Sequence, residues 1–290
     1  MNIAVFADVH GRILLCFTLC ARWQRETGER LDLILQAGDL GAYPDRTRLD
    51  KATIRHAERD PSELGFLDDF ASYRADVATV LAQTQCPLIF VRGNHEDHAW
   101  LDSLETQTEG ALYPVDAYER IFCLKTGVPY THHGGDEAVT ILGIGRIGPP
   151  TGEQQPHKPK YIQEHEQERV YRLGRPRQNF DILLSHDSAR DFVTPGYGMD
   201  EIRLALDAYK PVYHVYGHTE RPVDLRRDAN GTTLSCKMSD LHWDPAERGQ
   251  RLEAGAMGIL RWRNRSDHHL EVVDAPWLHA YTAHTWRHML

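Results

Sequence analysis

The chain has 290 residues, 41% of them hydrophobic, and a formal charge of −9 at neutral pH, which suits a folded core of ordinary size and argues against wholesale wrapping of a polyanion. Its apolar runs fall well short of the roughly 18 to 20 residues that span a bilayer, and Met1-Asn2-Ile3-Ala4-Val5 enters a strand pattern with no basic leader, so a cytoplasmic protein with no membrane partner is expected. Five scattered cysteines, Cys16, Cys20, Cys86, Cys123 and Cys236, predict reduced core thiols rather than a disulfide framework or a zinc knuckle.

Residues 3–7, Ile-Ala-Val-Phe-Ala, form a short apolar run ending in Asp8-Val9-His10-Gly11. Alternate residues of an extended segment project to one side, so Asp8 and His10 can reach a common metal ion. Taken alone, a turn aspartate and an exposed histidine are the plainer reading. Residues 12–25 carry Leu15, Leu19 and Trp23 at helical spacing, with Gly28 as a stop. Residues 31–37 are nearly all apolar, as in a strand covered on both faces, and end in Gly38-Asp39-Leu40-Gly41. Two carboxylates at two strand ends can face one crevice of an open α/β sheet. The interval 42–86 contains Asp60-Pro61-Ser62, a helix start or turn, and helical periodicity over 64–81. It reads as a solvated helical cap, with a substrate-side insertion as the alternative.

The next buried strand, 87–91, runs into Arg92-Gly93-Asn94-His95-Glu96. Gly93 allows a turn, Asn94 offers a neutral oxygen ligand, and His95 can move a proton near neutral pH with Glu96 beside it to orient the ring. Strands are predicted at 121–124 and 139–145, with His132-His133-Gly134-Gly135 as the turn between them. The insert 154–179 sets Lys158, Lys160, Arg169, Arg172, Arg175 and Arg177 against Glu164, Glu166 and Glu168, a basic run that can meet a phosphate-bearing substrate. The strand 180–184 ends in Ser185-His186-Asp187, a helix follows at 200–209, and the strand 211–216 ends in Gly217-His218-Thr219-Glu220. Short strands at 232–238 and 256–262 precede a tail bearing Trp277, His279, His284, Trp286 and His288, to which no role is assigned. One domain over 1–290 is expected, with insertions at about 42–75 and 146–179 and a C-terminal extension from about 240.

Five strand ends thus carry Asp-x-His, Gly-Asp, Gly-Asn-His-Glu, His and Gly-His-x-Glu in that order. The joint pattern resembles the calcineurin-like metallophosphoesterase family. The resemblance implies an α/β fold, a four-layer α/β/β/α sandwich of two mixed sheets flanked by helices. It also implies two divalent metal ions: Asp8 and His10 on the first, Asp39 bridging both, and Asn94, His186 and His218 on the second. Mixed nitrogen and oxygen donors favour Mn²⁺, with Fe or Zn²⁺ possible. A bridging hydroxide is then the nucleophile and His95 the general acid toward the leaving oxygen, with Glu96 as its neighbour. Glu220 replaces the family's last histidine; it either coordinates the first metal, the favoured reading, or faces away.

The expected activity is phosphoester hydrolysis, as a phosphodiesterase or a phosphatase, on a small molecule, a nucleotide or a nucleic acid, with no obligate protein partner. Arg92, Lys158, Lys160, Arg169 and Arg172 are the candidate substrate contacts. A weaker likeness in layout to RNA lariat debranching enzymes makes nucleic-acid cleavage one alternative. A catalytically weak metal-binding scaffold for protein partners is another.

Overall fold

A computed structural model of the chain describes residues 1–173, 179–219, 222–243 and 251–289. Its strands, in chain order, are β1 (Asn2–Phe6), β2 (Leu33–Gln36), β3 (Leu88–Phe90), β4 (Leu112–Pro114), β5 (Ile121–Leu124), β6 (Tyr130–Gly134), β7 (Glu137–Ile144), β8 (Ile182–Ser185), β9 (Tyr213–Tyr216), β10 (Asp224–Arg227), β11 (Leu234–Lys237), β12 (Gly258–Asn264) and β13 (Asp267–Val272). The α-helices are α1 (Ile13–Thr27), α2 (Lys51–Ala57), α3 (Ala75–Leu81), α4 (His98–Gln107), α5 (Glu164–Arg172) and α6 (Asp200–Tyr209).

The strands form two mixed sheets, ordered β13-β12-β1-β2-β3-β5-β4 and β10-β11-β9-β8-β7-β6. Side chains alternate along a strand, and β1 shows the result. Ile3 and Val5 join Leu33, Leu35, Ile141, Ile182, Leu184 and Val215 in the core between the sheets, whereas Ala4 and Phe6 pack under α1. Beyond the second sheet, Leu142, Ile144 and Leu183 pack against Val170 of α5 and Ile202 of α6. The expected four-layer sandwich is therefore present. β1, β2 and β3 run parallel in one sheet and β7, β8 and β9 in the other, so their carboxyl ends open on one edge of each sheet. α1 ends at Gly28, whose left-handed φ of 74° lets its N–H reach the Gln24 carbonyl.

Three expectations change. The helical periodicity of 64–81 is broken into a 3₁₀ turn at Pro61–Leu64, a wide π turn at Phe66–Phe70 and α3. Gly65 lies so close to the Gly11 carbonyl that a Cβ there would stand 2.0 Å from it, and Phe66 and Phe70 are both fully buried. Packing therefore outweighs local propensity. His132 and His133 do not form a turn; they belong to β6 and pair with Val139 and Ala138 of β7. The segment after 240 is built into the first sheet, since β12 pairs antiparallel with β1 from Asn2↔Arg261 to Val5↔Gly258. Its tail folds back, with Trp286 stacked on Trp243 and Arg287 paired with the buried Asp69 at 2.9 Å. Among the described residues no helix is long and apolar enough to cross a membrane.

Candidate metal centre

The loops leaving β1, β2, β3, β8 and β9 are tied to one another by their own backbones. The Asp8 N–H donates to the Gly38 carbonyl (3.1 Å) and the His10 N–H to the Asp39 carbonyl (2.9 Å). The His95 N–H donates to Asp39 Oδ1 (2.8 Å), the Gly217 N–H to the His186 carbonyl (3.0 Å), and the His218 N–H to Asp8 Oδ2 (3.1 Å). Asp8, His10, Asp39 and His218 all hold positive φ, between 42° and 66°. Such a cluster of left-handed non-glycine residues costs energy and marks a functional site.

Glycine is required before the candidate ligands Asp39, Asn94 and His218 for a reason of space. A Cβ on Gly38 would lie 2.5 Å from His186 Cβ, one on Gly93 2.1 Å from Asp39 Oδ1, and one on Gly217 2.0 Å from Asp8 Oδ2. Each motif's glycine thus makes room for a side chain from another motif.

The donor atoms converge. His186 Nδ1 faces the Ala37 carbonyl at 2.9 Å and must be the donor there, which turns Nε2 toward the site; burial lowers this ring, but the charges of Asp39 and Asp8 outweigh it and raise it to about 10, so a bound cation would take the place of its Nε2 proton. That Nε2 lies 3.1 Å from Asn94 Oδ1 and 3.4 Å from Asp39 Oδ2, and Asp8, Asp39 and His186 bring ligand atoms within 4.8 Å of one another. His10 Nε2 is 3.9 Å from Asp39 Oδ2, and the His218 ring centroid is 4.8 Å from that of His186. Burial pushes the Asp8 carboxyl up to about 8, so this carboxylate is short of positive charge in its surroundings. Burial also lowers His10 to about 4 and His218 to about 3, keeping both rings neutral and able to ligate. Converging donor atoms, an undercharged buried carboxylate and the neutral imidazoles of His10 and His218 fit divalent cations. Glu220 lies outside the described residues, as do Arg175 and Arg177 of the basic insert.

The calcineurin-like phosphoesterase family model matches residues 1–222, which takes in every one of these segments. The chain belongs to the calcineurin-like phosphoesterases. It is accordingly a metal-dependent phosphoesterase, a hydrolase that takes a phosphoester substrate and uses divalent metal ions. No curated protein sequence matches this phosphoesterase. Among solved structures, TT1561 of Thermus thermophilus is 14% identical, with 93% of this chain and 98% of that one covered and a TM-score of 0.51, and so shares the fold. GAP50, the anchor in the inner membrane complex of Plasmodium, is 11% identical over 95% of this chain and 89% of that one, with a TM-score of 0.48.

The phosphoesterase's His95 is oriented differently from expectation. Glu96 does not touch the ring: its buried carboxylate accepts the Leu40 N–H (2.9 Å) and the Ala42 N–H (2.7 Å), fixing the loop after Asp39. The adjacent position in sequence misleads because the chain bends at 94–96, and the Glu96 carboxylate turns to the backbone after Asp39. The ring's partner is Asp50, whose Oδ2 lies 2.7 Å from His95 Nδ1 and also accepts the Tyr43 hydroxyl at 2.8 Å. Burial disfavours the imidazolium, but the Asp50 hydrogen bond and the charge of Asp39 outweigh it and raise His95 to about 9. The His10 ring is 5.7 Å from that of His95, and its Nδ1 lies 4.0 Å from Glu63 Oε2. Both carboxylates come from the interval after Asp39, which is thus part of the site's surroundings and more than a solvated cap. In the sequence, Asp50 and Thr53 show only a helix start, and indeed Asp50 Oδ1 accepts the Thr53 N–H.

Of the candidate substrate contacts, Arg92 requires correction. It is buried and committed to Asp102, Glu105 and the Tyr113 hydroxyl. Arg169 is held by Glu105 at 2.7 Å, Arg172 by Glu168 on the exposed face of α5, and Lys158 faces Glu153 at 4.0 Å. Lys160 lies beside Tyr161, and its charge bears on His218.

Proposed function

We propose that this phosphoesterase hydrolyses its substrate at a dinuclear centre held by Asp8, His10, Asp39, Asn94, His186 and His218, with His95 as general acid. The observation that carries the reading is the convergence of His186 Nε2, Asn94 Oδ1 and Asp39 Oδ2 beside a histidine held on a carboxylate. Two divalent ions, Mn²⁺ by preference for this mixture of imidazole and oxygen donors, would supply an acidified water and neutralise phosphoryl charge when bound. Asp39, at the middle of the donor set, is suited to serve both ions. Asp50 accepts the Nδ1–H of His95 and, with Asp39, favours the imidazolium, whose second proton, on Nε2, is available to the leaving oxygen and prevents its departure as a bare anion. The Ala37 carbonyl and the backbone ties of Asp39 hold the donors before substrate arrives, so little reorganisation is needed at the reacting centre.

The test uses Mn²⁺-loaded protein with bis-p-nitrophenyl phosphate and p-nitrophenyl phosphate, alongside metal analysis. Two ions per chain with turnover is the expected result, and the preferred ester separates phosphodiesterase from phosphatase. Asn94→Ala should lose metal and activity together, while His95→Asn should retain both ions and lose turnover most on esters with poor leaving groups. Two bound ions with no hydrolysis of either ester would overturn the reading in favour of a binding scaffold.

A further inference from the structure

Residues 45–60 carry a row of cations that their own carboxylates do not neutralise. Asp45 accepts from the Thr47 backbone and hydroxyl, Asp50 serves His95 and Tyr43, and Asp60 takes Arg12 and Ser62. Arg48 is used by Asp97 at 2.6 Å. Arg46, Lys51, Arg55 and Arg59 remain, all exposed, with Glu58 and the Asp45 carboxylate, which is bonded to neutral donors alone, to balance them. Among the described residues none of these four cations forms an ion pair. In a chain of formal charge −9 this is a local excess of positive charge.

The row is fixed to the reacting centre at three points: Asp50 to His95, Arg48 to Asp97, and Asp60 to Arg12. Lys51 is the first residue of α2, directly after the aspartate that holds the general acid, and Arg55 follows one turn on, roughly 6 Å along the axis. Ile54, between the cations, is 46% exposed and offers apolar surface to a base.

We infer that the leaving group is the remainder of a single-stranded oligonucleotide, running from His95 along Lys51, Arg55 and Arg59. The inference rests on the proposed phosphoester hydrolysis and adds its substrate class. With His95 as the general acid toward the leaving oxygen, whatever lies beyond it on the α2 side belongs to the leaving group, and the row of cations favours an anionic one. A nucleic-acid strand supplies both the scissile phosphodiester and the phosphates next to it, whereas an acidic peptide supplies no phosphodiester. In the step itself water oxygen bonds to phosphorus and the P–O bond to the strand breaks. The strand leaves as an alcohol with the proton from His95, and the water proton passes to solvent.

The test compares Mn²⁺-loaded wild type with the Lys51→Gln/Arg55→Gln/Arg59→Gln variant on bis-p-nitrophenyl phosphate and on single-stranded oligonucleotides of two and ten nucleotides. Wild-type kcat/KM should rise at least tenfold from the shorter to the longer strand and fall with salt. Three phosphate contacts give a log–log salt slope of about −2, and the variant should lose most of it. The ratio of kcat/KM on the longer strand to that on bis-p-nitrophenyl phosphate should drop at least tenfold. Arg55→Gln alone should give about a third of the slope change, which keeps the test open if the triple variant folds poorly. Rates independent of strand length, as a small polyphosphate nucleotide would give, or an equal loss on both substrates would overturn the inference. Wild-type activity on bis-p-nitrophenyl phosphate but not on strands would refute the strand alone; inactivity on both with ions bound would refute the proposed hydrolysis itself.

Discussion

Gly93→Ala tests whether the site is set by how closely its loops approach. Gly93 does not have positive φ, so an alanine there meets no backbone strain and any effect comes from space. The added methyl would stand 2.1 Å from Asp39 Oδ1 and 2.2 Å from the Asp39 nitrogen, against about 3.4 Å for ordinary contact, so the loops must part by roughly 1 Å. Overpacking of this kind costs about 1 to 3 kcal/mol. A 1 Å displacement at a reacting centre costs roughly 100-fold in rate, and disturbing a ligand's support costs about 10- to 100-fold in metal affinity. The assay is metal content after dialysis into limiting Mn²⁺, a thermal melt, and initial rates on bis-p-nitrophenyl phosphate across a Mn²⁺ titration. We expect a melt lowered by a few degrees and a rate that recovers only partly at high Mn²⁺. Gly110→Ala is the control, since Gly110 has φ of 84° with nothing within 4 Å; it should lower the melt through backbone strain without changing metal content. Wild-type metal content and rate in Gly93→Ala would refute the view that this approach positions Asp39.

Three further outcomes are expected. Asp50→Asn keeps an oxygen for His95 and Tyr43, gives up the Thr53 N–H bond on its other side and loses the charge, so both metals should stay while kcat falls at least tenfold on phenyl esters and less on p-nitrophenyl esters; an equal loss on the two would remove Asp50 from proton transfer. Arg92→Met removes one of the two cations on each of Asp102 and Glu105, which keep Arg146 and Arg169, and should cost about 1 to 3 kcal/mol in denaturant unfolding with KM unchanged; a raised KM at full stability would return Arg92 to substrate binding. His214 is buried, and burial lowers it to about 3. Ser185 Oγ spends its proton on the Asp187 carbonyl and so accepts from His214 Nε2, 2.8 Å away. The unfolded chain therefore takes up a proton below about pH 6.5 that the folded chain refuses until about pH 3. Stability should fall by about 1.4 kcal/mol per pH unit across that window, and His214→Gln should remove that part of the slope in acid-unfolding curves.

The candidate ligand positions are legible in the sequence because each follows an apolar strand directly, so local pattern places them at sheet ends without any knowledge of the fold. The helix at 200–209 is equally plain, for its periodicity and its length agree. Asp50 is not legible as a partner of His95, since the two are 45 residues apart and the local pattern announces only a helix cap. Arg92 misleads in the opposite direction. At a strand end it reads as a substrate contact, and nothing nearby in sequence shows that Asp102 and Glu105 on α4 will cover it. The break within 64–81 has the same origin, because the close approach of Gly65 to Gly11 is a tertiary fact.

The pairing of β12 with β1 has a consequence for how the protein is made. β1 carries Asp8 and His10 at its end, yet one of its two neighbouring strands comes from residues 258–264, more than 250 positions later. Until those residues are available, β1 is an edge strand with a bare row of N–H and C=O groups, and closing so long a loop is slow. A fragment ending at 222 would contain every matched motif and still lack the strand that seats Asp8 and His10. Binding of cations should thus appear only after the last strands have joined the sheet, which makes metal uptake during refolding a reporter of the C-terminal third of the chain.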